Sequence, residues 1–401
     1  MHTGSTAAKR GRPRGLKGIV LLLCPLALLP ACAASGQDRS VLVPPSQDEV
    51  TFAQVTDNRP LDLSESGGRV GWTWSGWGPG QQNGSFYYPM DRDIDKSHTM
   101  DWYRSNQPDW VVYKCDRTSP APIYTYYWGF NTPIDVTNLQ VRNYVVNTHT
   151  TPGIRSGKRI VALDNVSLSN DSNRCGVWRD GQWVQLYSGE KQDPAYARQV
   201  IDWVHWLADR VHENGGIIAL NAKIKTYDID TTRELIALGD IWWDEAAFTR
   251  GCERVSDTVW QTRFDLVRWA AARMPWVDEE KTCESPADVP PDEASWMLGN
   301  FLLMRGPQSY FAALRDGDGK GPLHYPATFN PHVGHPISEA TQIDGGGWMR
   351  RYSGGLVVVN PSSKSSLSFA LPDGNWADIS GNPVEGALAI APASAAVLIR
   401  R

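Results

Sequence analysis

Two carboxylates end apolar segments of this sequence. Asp164 closes residues 158–164 (KRIVALD), and Glu245 closes residues 240–245 (DIWWDE). Cleavage of a glycosidic bond requires two such groups, one as nucleophile or base and one as proton donor. Burial beside Trp243 is expected to raise the pKa of Glu245 and suit it to donate a proton. Asp164 is then the candidate nucleophile or base.

Each acid also has a structural interpretation. A carboxylate at a strand end often caps the next helix or anchors a loop, and Asp244 fits that role. For either acid alone the structural interpretation is favoured, but for the pair, in a chain with 18 Trp and 9 Phe, catalysis is favoured. Asp116 and Asp278 also follow strand-like runs and are candidates for polar residues of a cleft.

Aromatic and amide side chains near predicted strand ends suit sugar binding. Trp72, Trp74 and Trp77 lie at the end of the first predicted strand, and alternation places Trp72 and Trp74 on one side. Indole rings stack on the flat C–H faces of sugars, with core packing as the alternative. Asn165 and Asn221 end strands and either bind hydroxyls or form turns. The predicted substrate-binding residues are Trp72, Trp74, Asp116, Asn165, Asn221 and Trp243.

The elements that must position these residues alternate between strand and helix from about residue 68 to 315. The predicted strands are residues 69–77, 109–115, 158–164, 216–221, 240–245 and 275–277, and the predicted helices are 138–147, 193–212, 231–238 and 256–274, with 294–304 ambiguous. Such alternation predicts a parallel sheet, either a (β/α)8 barrel or a doubly wound sheet. No G-x-G-x-x-G or Walker loop occurs, so we favour the barrel, in which strand-end side chains face one cleft.

Four regions are expected along the chain. Short apolar segments separated by Gly, Pro and Asn turns predict a small antiparallel β-sandwich at the C-terminus. The predicted boundaries are 1–31 for a signal peptide, 32–67 for a tether, 68–342 for the barrel and 343–401 for the sandwich.

The N-terminal segment resembles an export signal. Five basic residues within residues 9–17 precede the apolar run 19–29, which is too short to span a bilayer. The run leads into Ala31-Cys32, an arrangement that resembles a bacterial lipobox and predicts a lipid on Cys32; a cleavable signal with an incidental Cys is the alternative. We therefore expect an extracytoplasmic protein of the cell envelope, anchored to the membrane by lipid.

Four cysteines follow the predicted anchor. An exported chain can oxidise them, and the pairing that closes the shortest loops is Cys115–Cys175 with Cys252–Cys283. A zinc site is the alternative, but the sequence has no C-x-x-C pair, and no metal is predicted.

Charge and motifs exclude other classes of function. Removing the five N-terminal basic residues takes Lys and Arg from 39 to 34 against 44 Asp and Glu, a net charge of −10 that would repel nucleic acid. The eight His lack a partner motif, and no G-x-S-x-G elbow occurs. We predict no cofactor and no obligate protein partner.

Five stretches, in their order along the chain, resemble glycosyl hydrolases of bacterial envelopes, a (β/α)8 group distantly similar to endo-α-1,4-polygalactosaminidases. They are residues 106–113 (NQPDWVVY), 135–138 (DVTN), 162–170 (ALDNVSLSN), 242–249 (WWDEAAFT) and 303–310 (LMRGPQSY). The resemblance covers roughly residues 68–360. It implies a barrel in which Asp164 and Glu245 match the family's strand-end acids, followed by a β-domain, and it does not transfer a substrate.

Together these features predict a lipid-anchored glycoside hydrolase that cleaves a cell-surface or extracellular polysaccharide. A non-catalytic glycan-binding lipoprotein on a degenerate barrel is the alternative, and a metal-dependent deacetylase is a third hypothesis for which the sequence offers no ligand set. The prediction requires that Asp164 and Glu245 lie close together at one end of the sheet.

Overall fold

Strands and helices alternate in the described residues between 52 and 315. This computed structural model describes residues 42, 44–55, 70–74, 85–89, 92–93, 95, 97–121, 132–251, 253–318 and 325–401, with the backbone alone at 55, 70–74 and 85–89. The strands of this part are β1 Phe52–Val55, β2 Val70–Trp74, β3 Ser85–Pro89, β4 Val112–Lys114, β5 Ile160–Val166, β6 Arg174–Arg179, β7 Gln182–Gln185, β8 Ile217–Ala222, β9 Ile241–Glu245, β10 Thr249–Arg250, β11 Glu253–Arg254, β12 Trp276–Thr282 and β13 Ser309–Arg315. The helices are α1 Met100–Asn106, α2 Leu139–Val145, α3 Thr151–Arg155, α4 Pro194–Glu213, α5 Ile229–Ala237, α6 Asp257–Ala271 and α7 Pro291–Met304.

Eight parallel strands form the central sheet, in the order β2-β1-β13-β12-β9-β8-β5-β3. Helices α4 to α7 each connect one strand to the next, so the predicted alternation is confirmed. Cα atoms of the edge strands β2 and β3 approach within 8 Å, although no described backbone pairing joins them. Closure into a complete (β/α)8 barrel stays a prediction.

Helix α4 shows why the local sequence folds as predicted. The Asp193 carboxylate accepts hydrogen bonds from the backbone N–H groups of Ala195 and Tyr196, and Pro194 occupies the first helical position. Gly215 ends the helical segment with φ of 77°, a left-handed conformation that favours glycine. The helix returns the chain so that β8 pairs beside β5.

The prediction of a strand at residues 109–115 is corrected in extent and in sheet. Pro108 starts a 3-10 turn, so β4 begins only at Val112. β4 belongs to a separate antiparallel sheet with β6 and β7, and the predicted disulfide Cys115–Cys175 is confirmed there. Cys283 is also disulfide-bonded, while its predicted partner Cys252 lies outside the described residues.

Two further boundaries differ from the predictions. The predicted tether 32–67 is wrong at residues 52–55, because β1 lies inside the sheet between β2 and β13, with Phe52 and Ala53 buried. The predicted strand 275–277 continues to Thr282 as β12, through four charged residues. The ambiguous segment 294–304 is helical and belongs to α7.

The C-terminal residues form antiparallel sheets, as predicted. The strands are β14 Thr341–Gln342, β15 Trp348–Arg351, β16 Gly355–Asn360, β17 Leu367–Ala370, β18 Trp376–Ala377, β19 Pro383–Val384, β20 Ala387–Ile390 and β21 Ser394–Arg400. A six-stranded sheet, β14-β15-β16-β21-β18-β19, shares an apolar cluster with the β17-β20 pair. The opposite face of β16 packs in the main core with α7. The domain boundaries themselves stay predictions.

The predicted signal peptide and the lipidated Cys32 lie outside the described residues. Within the part that is described, no helix combines the length and the apolarity needed to cross a membrane.

Candidate active site

One face of the central sheet changes from apolar to polar along the strands. Its apolar layer is a buried cluster of Leu42, Ala53, Ile160, Ala162, Ile217, Ala219, Ile241, Trp243, Val277, Tyr310 and Ala312. Side chains two residues apart on a strand share a face. The next positions on this face are Asp164 on β5, Asn221 on β8, Glu245 on β9 and Glu279 on β12. The predicted acids therefore occupy the same face, toward the carboxyl ends of their strands.

Asp164 lies at an irregularity in the pairing of β5 with β8. Leu163 pairs with Leu220 and Val166 pairs with Ala222, so two residues of β5 oppose one residue of β8. Asn165 adopts φ of 56° at this β-bulge. An extra residue bends a strand and redirects the side chains beside it.

Asn221 connects the two predicted catalytic carboxylates. Its Nδ2 donates hydrogen bonds to Asp164 Oδ1 at 3.1 Å and to Glu245 Oε2 at 2.8 Å. Since both oxygens bind the same nitrogen, these two distances limit their separation to at most about 5.9 Å. Asn165 Nδ2 donates to the other Asp164 oxygen. The structure thus brings together Asp164, Glu245 and both predicted amide residues.

Lys281 lies on the other side of Glu245. Its Nζ is 3.3 Å from Glu245 Oε1 and 2.6 Å from Glu279 Oε1. Glu279 is 2% exposed, and its second oxygen accepts a hydrogen bond from the indole N–H of Trp243. Trp243 is itself 1% exposed, so its predicted role in substrate binding is corrected: the buried indole orients Glu279 and offers no ring face to solvent.

The predicted rise in the pKa of Glu245 is wrong. The Glu245 side chain is 37% exposed, and its partial burial favours the neutral acid. The Lys281 ammonium and the Asn221 amide outweigh this effect and hold the pKa of Glu245 below its ordinary value. Burial does raise the pKa of Glu279, to about 7, with Lys281 opposing the rise. In the free protein at neutral pH, Glu245 is therefore a carboxylate.

A second acidic cluster lies on the opposite face of the same strands. Asp244 on β9 pairs with Arg263 of α6 at 2.6 Å, while Asp278 and Glu280 of β12 are fully buried beside them. Burial raises the pKa of Asp244 to about 6 and that of Glu280 to about 8, and burial with the charge of Glu280 raises the pKa of Asp278. Asp278 is therefore not the cleft residue that the sequence predicted, and Asp244 has the structural role.

Asp116 is not brought to the pair. It lies in an exposed turn after β4, where its carboxylate accepts hydrogen bonds from the backbone N–H groups of Thr118 and Ser119 at 2.9 and 2.8 Å. The hydrogen bonds from Ser119 and Thr118 lower its pKa to about 2. Its described contacts are those of a turn-forming residue, so the predicted contact with substrate is not supported.

The tryptophans of β2 are placed by their backbone alone. Trp72 and Trp74 lie on this edge strand of the sheet, where the structure describes the backbone alone. Trp77 lies outside the described residues. Their predicted role in substrate binding stays a prediction. Among the described residues, no group of three or more His, Cys, Asp or Glu is arranged to hold a metal ion.

Glu279 and Lys281 were not predicted from the sequence to belong to the site. Residues 278–281 (DEEK) have the composition of a solvated segment, and nothing in that run alone indicates burial. The usable signal was the period of two that starts at Val277 and carries Glu279 and Lys281 onto the face of Glu245.

Sequence comparisons identify no family, and the similarity to solved structures is low. No protein-family model matches the chain, and no curated protein matches its sequence. The chain is similar to a GH27 β-L-arabinopyranosidase from Geobacillus stearothermophilus, with 11% identity and a TM-score of 0.42 over 79% of this chain and 74% of that one. It is also similar to an α-amylase from Geobacillus thermoleovorans (12% identity, TM-score 0.40, 86% of each chain) and to an Anoxybacillus α-amylase (10%, 0.39, 79% and 76%).

These neighbours are carbohydrate-active enzymes by name. Similarity at this level supports no inference about the reaction of this chain, which must be argued from its own residues. The resemblance to polygalactosaminidases stays a prediction.

Proposed function

We propose that this protein is a retaining glycoside hydrolase whose two catalytic carboxyl groups are those of Asp164 and Glu245. The observation that carries the proposal is the single Asn221 nitrogen that binds both carboxylates, which limits the distance between the two bound oxygens to at most about 5.9 Å. Retaining enzymes hold their carboxyl groups about 5–5.5 Å apart, whereas inverting enzymes need about 6.5–9.5 Å to admit a water molecule.

The contacts of Glu245 favour it as the nucleophile. A nucleophile must be ionised before the sugar arrives, and Glu245 is held as a carboxylate by Lys281 and Asn221. The proton-donor role then falls to Asp164. This assignment exchanges the roles that the sequence predicted, because that prediction depended on a raised pKa for Glu245.

The reaction proceeds in two displacements. A carboxylate oxygen of Glu245 attacks the anomeric carbon while the bond from that carbon to the glycosidic oxygen breaks, and Asp164 gives its proton to this oxygen. Water then attacks the anomeric carbon and loses a proton to Asp164, and Glu245 leaves as a carboxylate. Net retention follows from two inversions at the same carbon.

The test is a reducing-sugar assay of the purified protein on a panel of bacterial exopolysaccharides. We expect Asp164→Asn and Glu245→Gln each to lower the cleavage rate at least about 100-fold, while circular dichroism shows an intact fold. Asp230→Asn is the matched control, since this carboxylate is 97% exposed on α5. Full activity in either site variant would refute the assignment, and binding without release of reducing ends would favour the glycan-binding alternative.

Rescue by azide tests which carboxyl group is the nucleophile and which is the proton donor. Glu245→Ala with azide should yield a glycosyl azide of inverted configuration, because the small anion attacks the intact glycoside in place of the missing nucleophile. Asp164→Ala with azide should yield the azide of retained configuration, because azide then attacks the covalent intermediate. The opposite assignment of products would contradict the proposed roles.

We also propose that Cys32 is lipidated and anchors the protein in the cell envelope, close to a polysaccharide substrate. The support is the Ala31-Cys32 arrangement at the end of an apolar run. Labelling of the full-length chain with a radioactive fatty acid should require Cys32, and equal labelling of Cys32→Ser would contradict the anchor.

A further inference from the structure

We infer that Lys281 is a positioning residue that keeps Glu245 charged and correctly oriented for its reaction, and that buried Glu279 fixes Lys281 in place. The inference deepens the proposed function and rests on it for the role of Glu245. Its structural part concerns the charge and orientation of Glu245 and can be measured without substrate.

The first support is geometric. Lys281 and Glu245 lie on the same face of neighbouring strands, since Glu279 of β12 pairs in register with Glu245 of β9 and Lys281 follows two residues later. The Lys281 side chain is 13% exposed and its Nζ reaches Glu245 at 3.3 Å. Among the described residues, Lys281 is the only cation within ion-pair distance of Glu245.

The second support is the ion pair between Lys281 and the buried Glu279. Lys281 Nζ is closer to Glu279, at 2.6 Å, than to Glu245. One oxygen of this buried carboxyl group forms the ion pair with Lys281, and the other accepts a hydrogen bond from Trp243. A flexible ammonium is thereby fixed at one point, which lowers the entropic cost of its contact with Glu245.

The remaining groups around Glu245 do not replace Lys281. Asn221 donates to Oε2 but carries no charge, while Lys223 acts only through its longer-range field. Asp164, Glu279 and, behind the strand, Asp244 are acids. Without Lys281, Glu245 would face three carboxyl groups and one distant cation, an environment that favours its neutral form.

Because Lys281 binds one oxygen of Glu245 and Asn221 binds the other, the carboxylate is held at both ends. Loss of Lys281 is therefore expected to change both the ionisation and the orientation of the nucleophile. Replacement of Glu279 by Gln removes the group that fixes Lys281, but it also removes a neighbouring carboxyl group, so we expect it to change the orientation of Glu245 and lower kcat without raising the pKa of Glu245. An unchanged kcat in Glu279→Gln would contradict the role of Glu279.

The experiment is a pH titration of the Glu245 side-chain carboxyl by 13C NMR in the full chain. Assignment comes from the signal that disappears in Glu245→Gln. We expect Lys281→Met to raise the pKa of Glu245 by about 1–3 units and Lys281→Arg to keep most of the wild-type value, whereas Glu279→Gln, which removes a neighbouring carboxyl group, should not raise it. An unchanged pKa in Lys281→Met, or equal shifts in Lys281→Arg and Lys281→Met, would overturn the inference.

Turnover provides a second readout. In Lys281→Met the acidic limb of the pH–rate profile should move to higher pH by the shift that NMR reports, with kcat reduced more than KM is raised. If Lys281→Met does not fold, Lys281→Gln replaces it, and an unchanged pKa of Glu245 in that variant would overturn the inference. If Lys281→Met raises the pKa of Glu245 but the wild-type protein cleaves no glycan, only the proposed function is contradicted.

Discussion

Replacing Glu280 with Gln should flatten the dependence of stability on pH. Glu280 is fully buried beside Asp244, Asp278 and the single guanidinium of Arg263, and its pKa is raised from 4.5 to about 8. The folded protein therefore binds more protons than the unfolded chain between about pH 4.5 and 8. Stability contributed by this group is present at low pH and is lost as the pH rises through that window.

The magnitude follows from linkage. Each pH unit well inside the window costs about 1.4 kcal/mol, so a group with a pKa of about 8 removes roughly 4 kcal/mol between pH 5 and 9, most of it below pH 8. Gln keeps a carbonyl oxygen for the backbone N–H of Phe248, which now donates to Glu280 at 3.1 Å. The substitution thus removes the titration and keeps one acceptor oxygen for the backbone hydrogen bonds that Phe248 and Thr249 make to this side chain.

The assay is urea unfolding of wild type and Glu280→Gln at pH 5, 7 and 9. The wild type should lose stability relative to the variant by about 4 kcal/mol across this range. Glu385→Gln, at an exposed acid between β19 and β20, controls for the loss of one charge. A difference in unfolding free energy between wild type and Glu280→Gln that stays constant with pH would show that Glu280 does not titrate in this window.

Two further outcomes are expected. Asn221→Ala removes both bridging hydrogen bonds and leaves two carboxylates without their shared donor, so urea unfolding should show a loss of about 1–3 kcal/mol together with reduced turnover; an unchanged unfolding free energy would contradict the bridge. Cys115→Ser opens a cross-link between residues 60 apart and should lower the free energy of unfolding by up to about 4 kcal/mol under oxidising conditions. Wild-type stability in that variant would contradict a disulfide that constrains the unfolded chain.

The candidate site could be predicted where an apolar run ends. Strands β5 and β9 are buried on both faces, so their sequences are almost continuously apolar until they reach the edge of the sheet. Asp164 and Glu245 stand out for that reason. Helix α4 could also be predicted from the sequence, because its cap at Asp193 and its apolar stripe are local signals.

The acids of β12 could not be predicted in the same way. Asp278, Glu279 and Glu280 are buried only because distant residues accommodate them: Arg263 lies near one face, and Trp243 with Lys281 lies on the other. A run of charged residues alone indicates solvent, since isolated buried charges are costly. Their partners come together only through tertiary structure.

The ionisation of Glu245 and the bulge at Asp164 also depend on tertiary structure and could not be predicted. The sequence places Glu245 beside Trp243, but the indole binds Glu279, and the ammonium that holds Glu245 charged comes from another strand. The bulge depends on how β5 pairs with β8, for which neither segment carries a local signal. Pairing register and charge contacts across strands could therefore not be predicted from the sequence pattern.

The pairing of Asp164 with Glu245 is tested by the anomeric configuration of the first product. Proton NMR of a fresh reaction on a cleaved polysaccharide reports that configuration before mutarotation. The two oxygens bound to the Asn221 nitrogen are at most about 5.9 Å apart, below the separation of about 6.5–9.5 Å that inverting enzymes need, so we predict retention. Inversion would contradict the pairing of Asp164 with Glu245.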